Sequence, residues 1–204
     1  MFKSNKLLIN NLFSVKNKVC LITGSEGGMG KQISNLLKIN GAKVICIDRI
    51  KKKKKNYYQI DLRKDESLLF FKKKFQKKFS KIDAIINLAG VTDPTNFENN
   101  FKVNLFGLFN LTNSLINLMK KSGGSIINIT SLNAELGFSN NPGYNSSKGA
   151  LKLLTKSLAV DYGKFNIRVN NLGPGYIKTK MTRNSFNDKK ERNKRLERMV
   201  FKKY

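Results

Sequence analysis

Short apolar runs that do not alternate with polar residues recur along this chain, and each is followed by helical spacing. Residues 18–23 (K-V-C-L-I-T), 43–47, 83–87 and 125–130 are runs of this kind; 57–62 is a weaker one and 166–170 the last. Residues 29–39 put Ile33, Leu36 and Leu37 on one side, with Gly41 placed as a C-cap. Residues 68–79 set Leu68, Phe71, Phe75 and Phe79 opposite their lysines, and 97–119 and 144–162 read as longer helices. A strand that is apolar on both faces needs a cover on both. The order therefore predicts an α/β fold, a doubly wound parallel sheet with helices on each side. With 204 residues, the chain suits a single domain, 1–204, with a sizeable core. Residues 1–17 read as a lead-in and 184–204 as a charged tail that could form a helix, with no strand after it. The lysine run 51–55 is too charged to pack, and the crossover from Asp48 to Tyr57 is too short for a helix.

Composition excludes several chemistries. The chain has no histidine, so zinc hydrolase and Ser-His-Asp mechanisms lack their material. Its two cysteines, Cys20 and Cys46, each lie in a strand-like run and read as buried free thiols. No stretch has the apolar length of a membrane span, and the N-terminus lacks a cleavage pattern, so a cytoplasmic protein is expected. The net charge of +27 invites a nucleic-acid reading. The lysines are scattered, however, and accompany abundant asparagine, isoleucine and phenylalanine, as AT-rich codons would dictate. No nucleic-acid motif accompanies them.

The first run leads into Thr23-Gly24-Ser25-Glu26-Gly27-Gly28-Met29-Gly30 and then a helix. Glycines there let backbone N–H groups approach a pyrophosphate at the helix N-terminus. Asp48, ending the second run, is placed to accept hydrogen bonds from ribose hydroxyls, the arrangement of a Rossmann-type dinucleotide site. Its carboxylate would repel a 2′-phosphate, as would Glu26, so NAD is expected over NADP, although Arg49 and the 51–55 lysines could offset that repulsion.

Ser131 ends the 125–130 run, and Tyr144 and Lys148, four apart, share a helix face. A hydroxyl, a phenol and an ammonium together form a plausible proton-transfer site. The T-G-x-x-x-G-x-G turn and Y-x-x-x-K with an upstream serine resemble the short-chain dehydrogenase/reductase family. Further motifs follow in the family's order. Asp61-Leu62 resembles the pair that meets the adenine, and Asn87-Leu88-Ala89-Gly90 resembles N-N-A-G. Asn104 matches the asparagine of the catalytic tetrad; Pro174-Gly175 matches the P-G turn and Thr179 the carboxamide contact. The resemblance runs from about Leu12 to Thr179. It implies Asn104, Ser131, Tyr144 and Lys148 as the catalytic set. It implies Thr23, Gly24, Ser25, Gly28, Met29, Gly30, Asp48, Asp61, Leu62, Asn87, Ala89, Gly90, Pro174, Gly175 and Thr179, with Tyr144 and Lys148, for the cofactor. No metal is expected. Tyr176 and Lys180 repeat the Y-x-x-x-K spacing, but Gly163 replaces the upstream serine.

The reaction so implied is hydride transfer between a nicotinamide and a small alcohol or ketone, with Tyr144 as acid/base. A phenol working near neutral pH must titrate roughly 3 units below its usual value, worth about 4 kcal/mol. An ammonium about 4 Å away at an effective dielectric of ~20 supplies that much, so Lys148 is expected to tune Tyr144. Ser131 would orient the reacting oxygen, and Asn104, by the resemblance, would hold a water that relays protons through Lys148. The segment 91–101 is shorter than in the family, and the family's last helix and strand have no counterpart before Tyr204. One sheet edge is therefore expected to be exposed, with a homodimer through 101–119 and 144–162 instead of a tetramer. The alternatives are a catalytically impaired nucleotide binder and an anion-binding surface on the same scaffold.

Overall fold

The computed structural model describes residues 13–200, so the first part of the expected lead-in and the end of the tail lie outside the described residues. Six strands form one parallel sheet: β1 (Val19–Thr23), β2 (Lys43–Asp48), β3 (Tyr57–Gln59), β4 (Ala84–Asn87), β5 (Gly124–Ile129) and β6 (Ile167–Leu172), in the order β3-β2-β1-β4-β5-β6. Chain direction across the sheet reverses between β1 and β4. In open α/β sheets that switch point opens a crevice at the carboxyl ends of the strands.

Helices cover both faces, as the doubly apolar strands require. On one, Ile22, Val44, Cys46 and Ile86 pack against Ile33 and Leu37 of α1 (Gly28–Ile39). On the other, Leu21, Ile45, Ile85 and Ile126 meet α2 (Asp65–Gln76), the helical segment 97–120 and α6 (Pro142–Gly163). Phenylalanines at i, i+4 spacing along and just beyond α2 meet in turn, Phe71 and Phe75 tilted with centroids 5.3 Å apart and Phe75 and Phe79 stacked at 4.6 Å. A polar ladder crosses this core: Asn87 Nδ2 donates to Asn128 Oδ1 at 2.8 Å, and Asn128 Nδ2 donates to Thr155 Oγ1 at 2.8 Å. It fastens β4 to β5 and both to α6, while Asn87 Oδ1 is left without a partner among the described residues.

Several boundaries differ from the sequence expectation. β3 stops at Gln59, because Ile60 and Leu62 leave the ladder to pack into the core. α2 begins at Asp65, with Asp65 and Glu66 in its first turn, where the helix dipole favours them. The expected helix over 97–119 is interrupted: α3 (Phe97–Phe101) runs into a π-helical stretch (Lys102–Gly107), then α4 (Leu108–Leu115) and α5 (Asn117–Lys120). The tail is two short helices, α7 (Arg183–Asn187) and α8 (Lys189–Glu197). Residues 51–55 are an exposed connection without helix, and Cys20 and Cys46 are free and buried. Among the described residues β6 has no outer partner, the exposed edge expected from the sequence. No helix among them is long and apolar enough to cross a membrane.

Gly107 tests the packing of the π-helical stretch. A Cβ there would lie 2.5 Å from the Leu62 carbonyl oxygen. Gly107→Ala should lower stability by about 2–3 kcal/mol in denaturant titration, as overpacking against backbone does. An unchanged midpoint would contradict the close contact.

Candidate active site

The crevice at the switch point is a cavity of about 620 Å³ lined by the glycine-rich turn, the ends of β2 and β4, and Thr179. Gly24 sits at φ +66°, and a Cβ there would lie 2.8 Å from the Ala89 backbone; Gly30 would put one 2.2 Å from the Gly24 carbonyl. The turn therefore folds this tightly only with glycine at both places. Thr23 Oγ1 accepts the Ala89 N–H at 3.1 Å and holds the β1 and β4 ends together. Gly27 caps α1 without a side-chain hydrogen bond, and no acidic residue fills the first turn, so the helix N-terminus is open to an anion. The Ser25 hydroxyl is buried there without a partner. An open helix terminus and a glycine cradle together fit a pyrophosphate.

Two carboxylates stand at the β2 end of the cavity. Asp48 accepts the Glu26 N–H at 2.9 Å and the Ile50 N–H at 3.1 Å. The Glu26 side chain, only 7% exposed, pairs with Lys54 at 2.9 Å and Lys31 at 3.8 Å. Burial raises the Glu26 carboxyl, but the Lys54 hydrogen bond and charge, with Lys31 and Lys52, hold it below its ordinary value. Farther along, Arg63 grips Asp61 through Nη2 at 2.6 Å and Nε at 2.9 Å, keeping that carboxyl low as well. Arg63 and Val103 also line the cavity and were not singled out from the sequence, whereas Glu26, expected there only to repel a 2′-phosphate, lines it too.

Beyond the cavity lie the residues that the sequence pointed to for proton transfer. Lys148 is 4% exposed and donates to the Ile129 carbonyl at 2.7 Å. A Cβ on Gly90 would lie 3.3 Å from Asn104 Oδ1 and 3.4 Å from Lys148 Nζ, so these three groups meet. The Asn104 side chain bonds both polar groups of Val91, at 2.8 and 3.0 Å, and Ser147 Oγ at 3.0 Å. Ser131 stands at the β5 end and caps the turn Leu132–Ala134.

The tuning expected of Lys148 is not the one observed. Burial pushes the Tyr144 phenol above its ordinary value, and hydrogen bonding with Ser131 works in the opposite sense. The ammonium donates to the Ile129 carbonyl and lies 5.9 Å from the Tyr144 ring centroid. Burial pushes Lys148 itself down to about 8.

Other expected positions divide in two. Thr23, Gly24, Gly28, Met29, Gly30, Asp48, Asp61, Leu62, Ala89, Gly90 and Thr179 line the cavity. Ser25, Asn87, Pro174 and Gly175 do not: Ser25 lies buried behind the turn and Asn87 belongs to the polar ladder. Pro174 and Gly175 follow β6 and lead the chain to Thr179, which packs where a Gly28 Cβ would come within 3.0 Å of it. Tyr176 lies in this connection with the Arg195 guanidinium over its ring, away from Lys148.

The short chain dehydrogenase family model matches residues 18–190. The chain belongs to the short-chain dehydrogenase family. It is 30% identical over 195 residues to a 2-dehydro-3-deoxy-D-gluconate 5-dehydrogenase of Formosa agariphila, spanning 84% of this chain and 74% of that one. It is 35% identical over 190 residues to a 3-oxoacyl-(acyl-carrier-protein) reductase of Buchnera aphidicola, spanning 83% and 78%. A gluconate 5-dehydrogenase from Burkholderia cenocepacia, solved with NADP and tartrate, superposes with a TM-score of 0.85 at 26% identity, over 92% of this chain and 82% of that one. As a short-chain dehydrogenase, this protein is an oxidoreductase of a family that binds nicotinamide cofactors.

The buried ammonium has a signature in stability. Lys148 titrates near 8 folded against 10.5 ordinarily, so the fold disfavours its charged form by about 3 kcal/mol. That cost is fully present below pH 8 and disappears as pH rises toward 10.5. Relative to Lys148→Met, the native chain should gain about 3 kcal/mol between those limits in parallel denaturant titrations. A constant difference across that range would refute the buried charge.

Proposed function

We propose that this short-chain dehydrogenase is an NAD-dependent oxidoreductase acting on a small alcohol or ketone. The observation that carries the reading is the meeting of Lys148, Asn104 and Gly90 beside a cavity that fits a dinucleotide. When bound, the nicotinamide supplies the two-electron chemistry, taking a hydride from a carbinol carbon or returning one to a carbonyl. The chain's own residues handle the proton and the geometry. Tyr144 takes the hydroxyl proton as the alcohol becomes a ketone, and gives it back in the reverse direction. Ser131 hydrogen-bonds the reacting oxygen and fixes its distance from the phenol. Lys148 supplies positive charge beneath them, and Asn104 holds Val91 and Ser147 so that the floor of the site keeps its shape.

NAD is favoured because both side chains at the β2 end, Asp48 and Glu26, carry negative charge. The lysines nearest them, Lys31 and Lys54, are already paired with Glu26 and so are not available to a 2′-phosphate. Relatives that act on cyclopentanol and on trans-4-hydroxycyclohexanecarboxylate, each 31% identical, suggest small cyclic and acidic alcohols for a first panel. Exposed Phe97, Phe106, Leu153 and Val160 on the helical segment 97–115 and on α6 support a homodimer through these helices. The free buried thiols suit a reducing, cytoplasmic setting.

Fluorescence titration should give NADH at least about 10-fold tighter binding than NADPH, and Glu26→Gln should narrow that gap by releasing Lys54. Equal affinities in the native chain would sink the NAD assignment. Tyr144→Phe should reduce turnover of the panel at least about 1,000-fold while NADH affinity stays within about 2-fold. Retained turnover would remove Tyr144 from the proton step.

A further inference from the structure

The Ser131 hydroxyl begins a series in which each side chain donates to the next, ending on a backbone carbonyl. Ser131 Oγ donates to Asn133 Oδ1 at 3.1 Å and accepts the Asn133 backbone N–H at 3.2 Å. Asn133 Nδ2 donates to Asn145 Oδ1 at 2.6 Å, and Asn145 Nδ2 donates to the Phe138 carbonyl at 2.7 Å. Ser131, Asn133 and Asn145 are half-buried, so each bond matters more than it would in water. Phe138 lies in the connection between the Leu132–Ala134 turn and α6, and its ring carries the Arg198 guanidinium of the tail at 5.1 Å.

A serine hydroxyl has one proton to give. With that proton on Asn133 Oδ1, a substrate oxygen must draw it away by turning the O–H bond, while the Asn133 backbone N–H keeps the oxygen in place. Which end of the Asn133 carboxamide faces Ser131 is decided by Asn145. Its Oδ1 requires a donor, so the Asn133 NH2 turns toward it and the Asn133 oxygen turns toward the serine. Rotated by half a turn, the amide would set oxygen against oxygen at Asn145 and a second donor against Ser131. Asn145 is in turn fixed by the Phe138 carbonyl, an acceptor that cannot rotate.

We propose that Asn133 and Asn145 are positioning residues for the dehydrogenase reaction: they anchor the Ser131 oxygen, aim its proton, and tie both to the Phe138 connection. This rests on the reading of Ser131 as the group that orients the substrate oxygen. Asn145 follows Tyr144 directly in the chain, so α6 sets the phenol with one residue and disciplines the serine with the next.

The test compares the native chain with Asn145→Leu, Asn145→Asp, Asn133→Ala and the Asn133→Ala/Asn145→Leu pair. In 15N NMR the Asn133 side-chain NH2 should show slow exchange with solvent in the native chain and lose it in Asn145→Leu. With the best alcohol of the panel and NAD+, Asn145→Leu should lower kcat about 10- to 100-fold while NADH affinity stays within about 2-fold. Asn145→Asp, which keeps the acceptor for Asn133 but sets a carboxylate oxygen against the Phe138 carbonyl, should recover only part of that loss. The double variant should be no worse than the poorer single one, since the two residues act as a unit. Unaltered kcat in Asn145→Leu, or single losses that multiply in the pair, would overturn the proposal. If the native chain binds NADH but turns nothing over, the reading of Ser131 has failed instead, and an Asn133 NH2 signal unchanged by Asn145→Leu would overturn the hydrogen-bonded series itself. Should Asn145→Leu not fold, Asn145→Ala carries the same comparisons.

Discussion

An ammonium buried almost completely under the end of β5 dictates much of the architecture around it. Lys148 reaches its position from the second turn of α6 and finds a single protein acceptor, the Ile129 carbonyl. Removing a cation from water is costly, and one hydrogen bond offsets only part of that cost. The surrounding elements are arranged to make room for it. Gly90 leaves a space that a side chain would close. The helix over 97–115 changes to π geometry around Asn104, whose carboxamide then ties Val91 to Ser147 on α6. Such π-helical turns are frequent at functional sites.

The rest of the fold supplies rigidity on which this tension can be held. Asn87, Asn128 and Thr155 link two central strands to α6 through buried hydrogen bonds, and the phenylalanines of α2 fill one face of the sheet. Thr23 closes the β1 and β4 ends so that the glycine turn and Gly90 keep a fixed separation. Stability is spent at Lys148 and recovered in the core. That partition is common where a site needs a charge in a place the fold would otherwise reject.

Sequence alone made the doubly wound parallel sheet and the glycine turn readable, because these follow from local periodicity and from glycines with one permissible backbone, whereas Asp61, Leu62, Ala89, Gly90 and Thr179 were placed at the cavity by the family resemblance. The i, i+4 placement of Tyr144 and Lys148 was readable for the same reason. What escaped it depends on segments far apart in the chain. The clasp of Lys54 on Glu26 spans 28 residues, Gly107 in the π-helical stretch packs against Leu62, and the Asn133–Asn145 contact joins a turn to a helix. The tuning of Tyr144 was misjudged because a four-residue spacing fixes a shared helix face but not the direction of the ammonium. Its partner is a carbonyl on β5, and the burial that comes with it raises the phenol.

A working phenol must therefore receive its downward shift when the cofactor arrives. Tyr144 can be titrated directly by ultraviolet difference absorbance of the native chain against Tyr144→Phe, alone and with saturating NAD+ or NADH. The account predicts a phenol that titrates above its ordinary value in the free protein and falls with NAD+, which brings positive charge, and less with NADH. A Tyr144 titration that NAD+ leaves unmoved would contradict it.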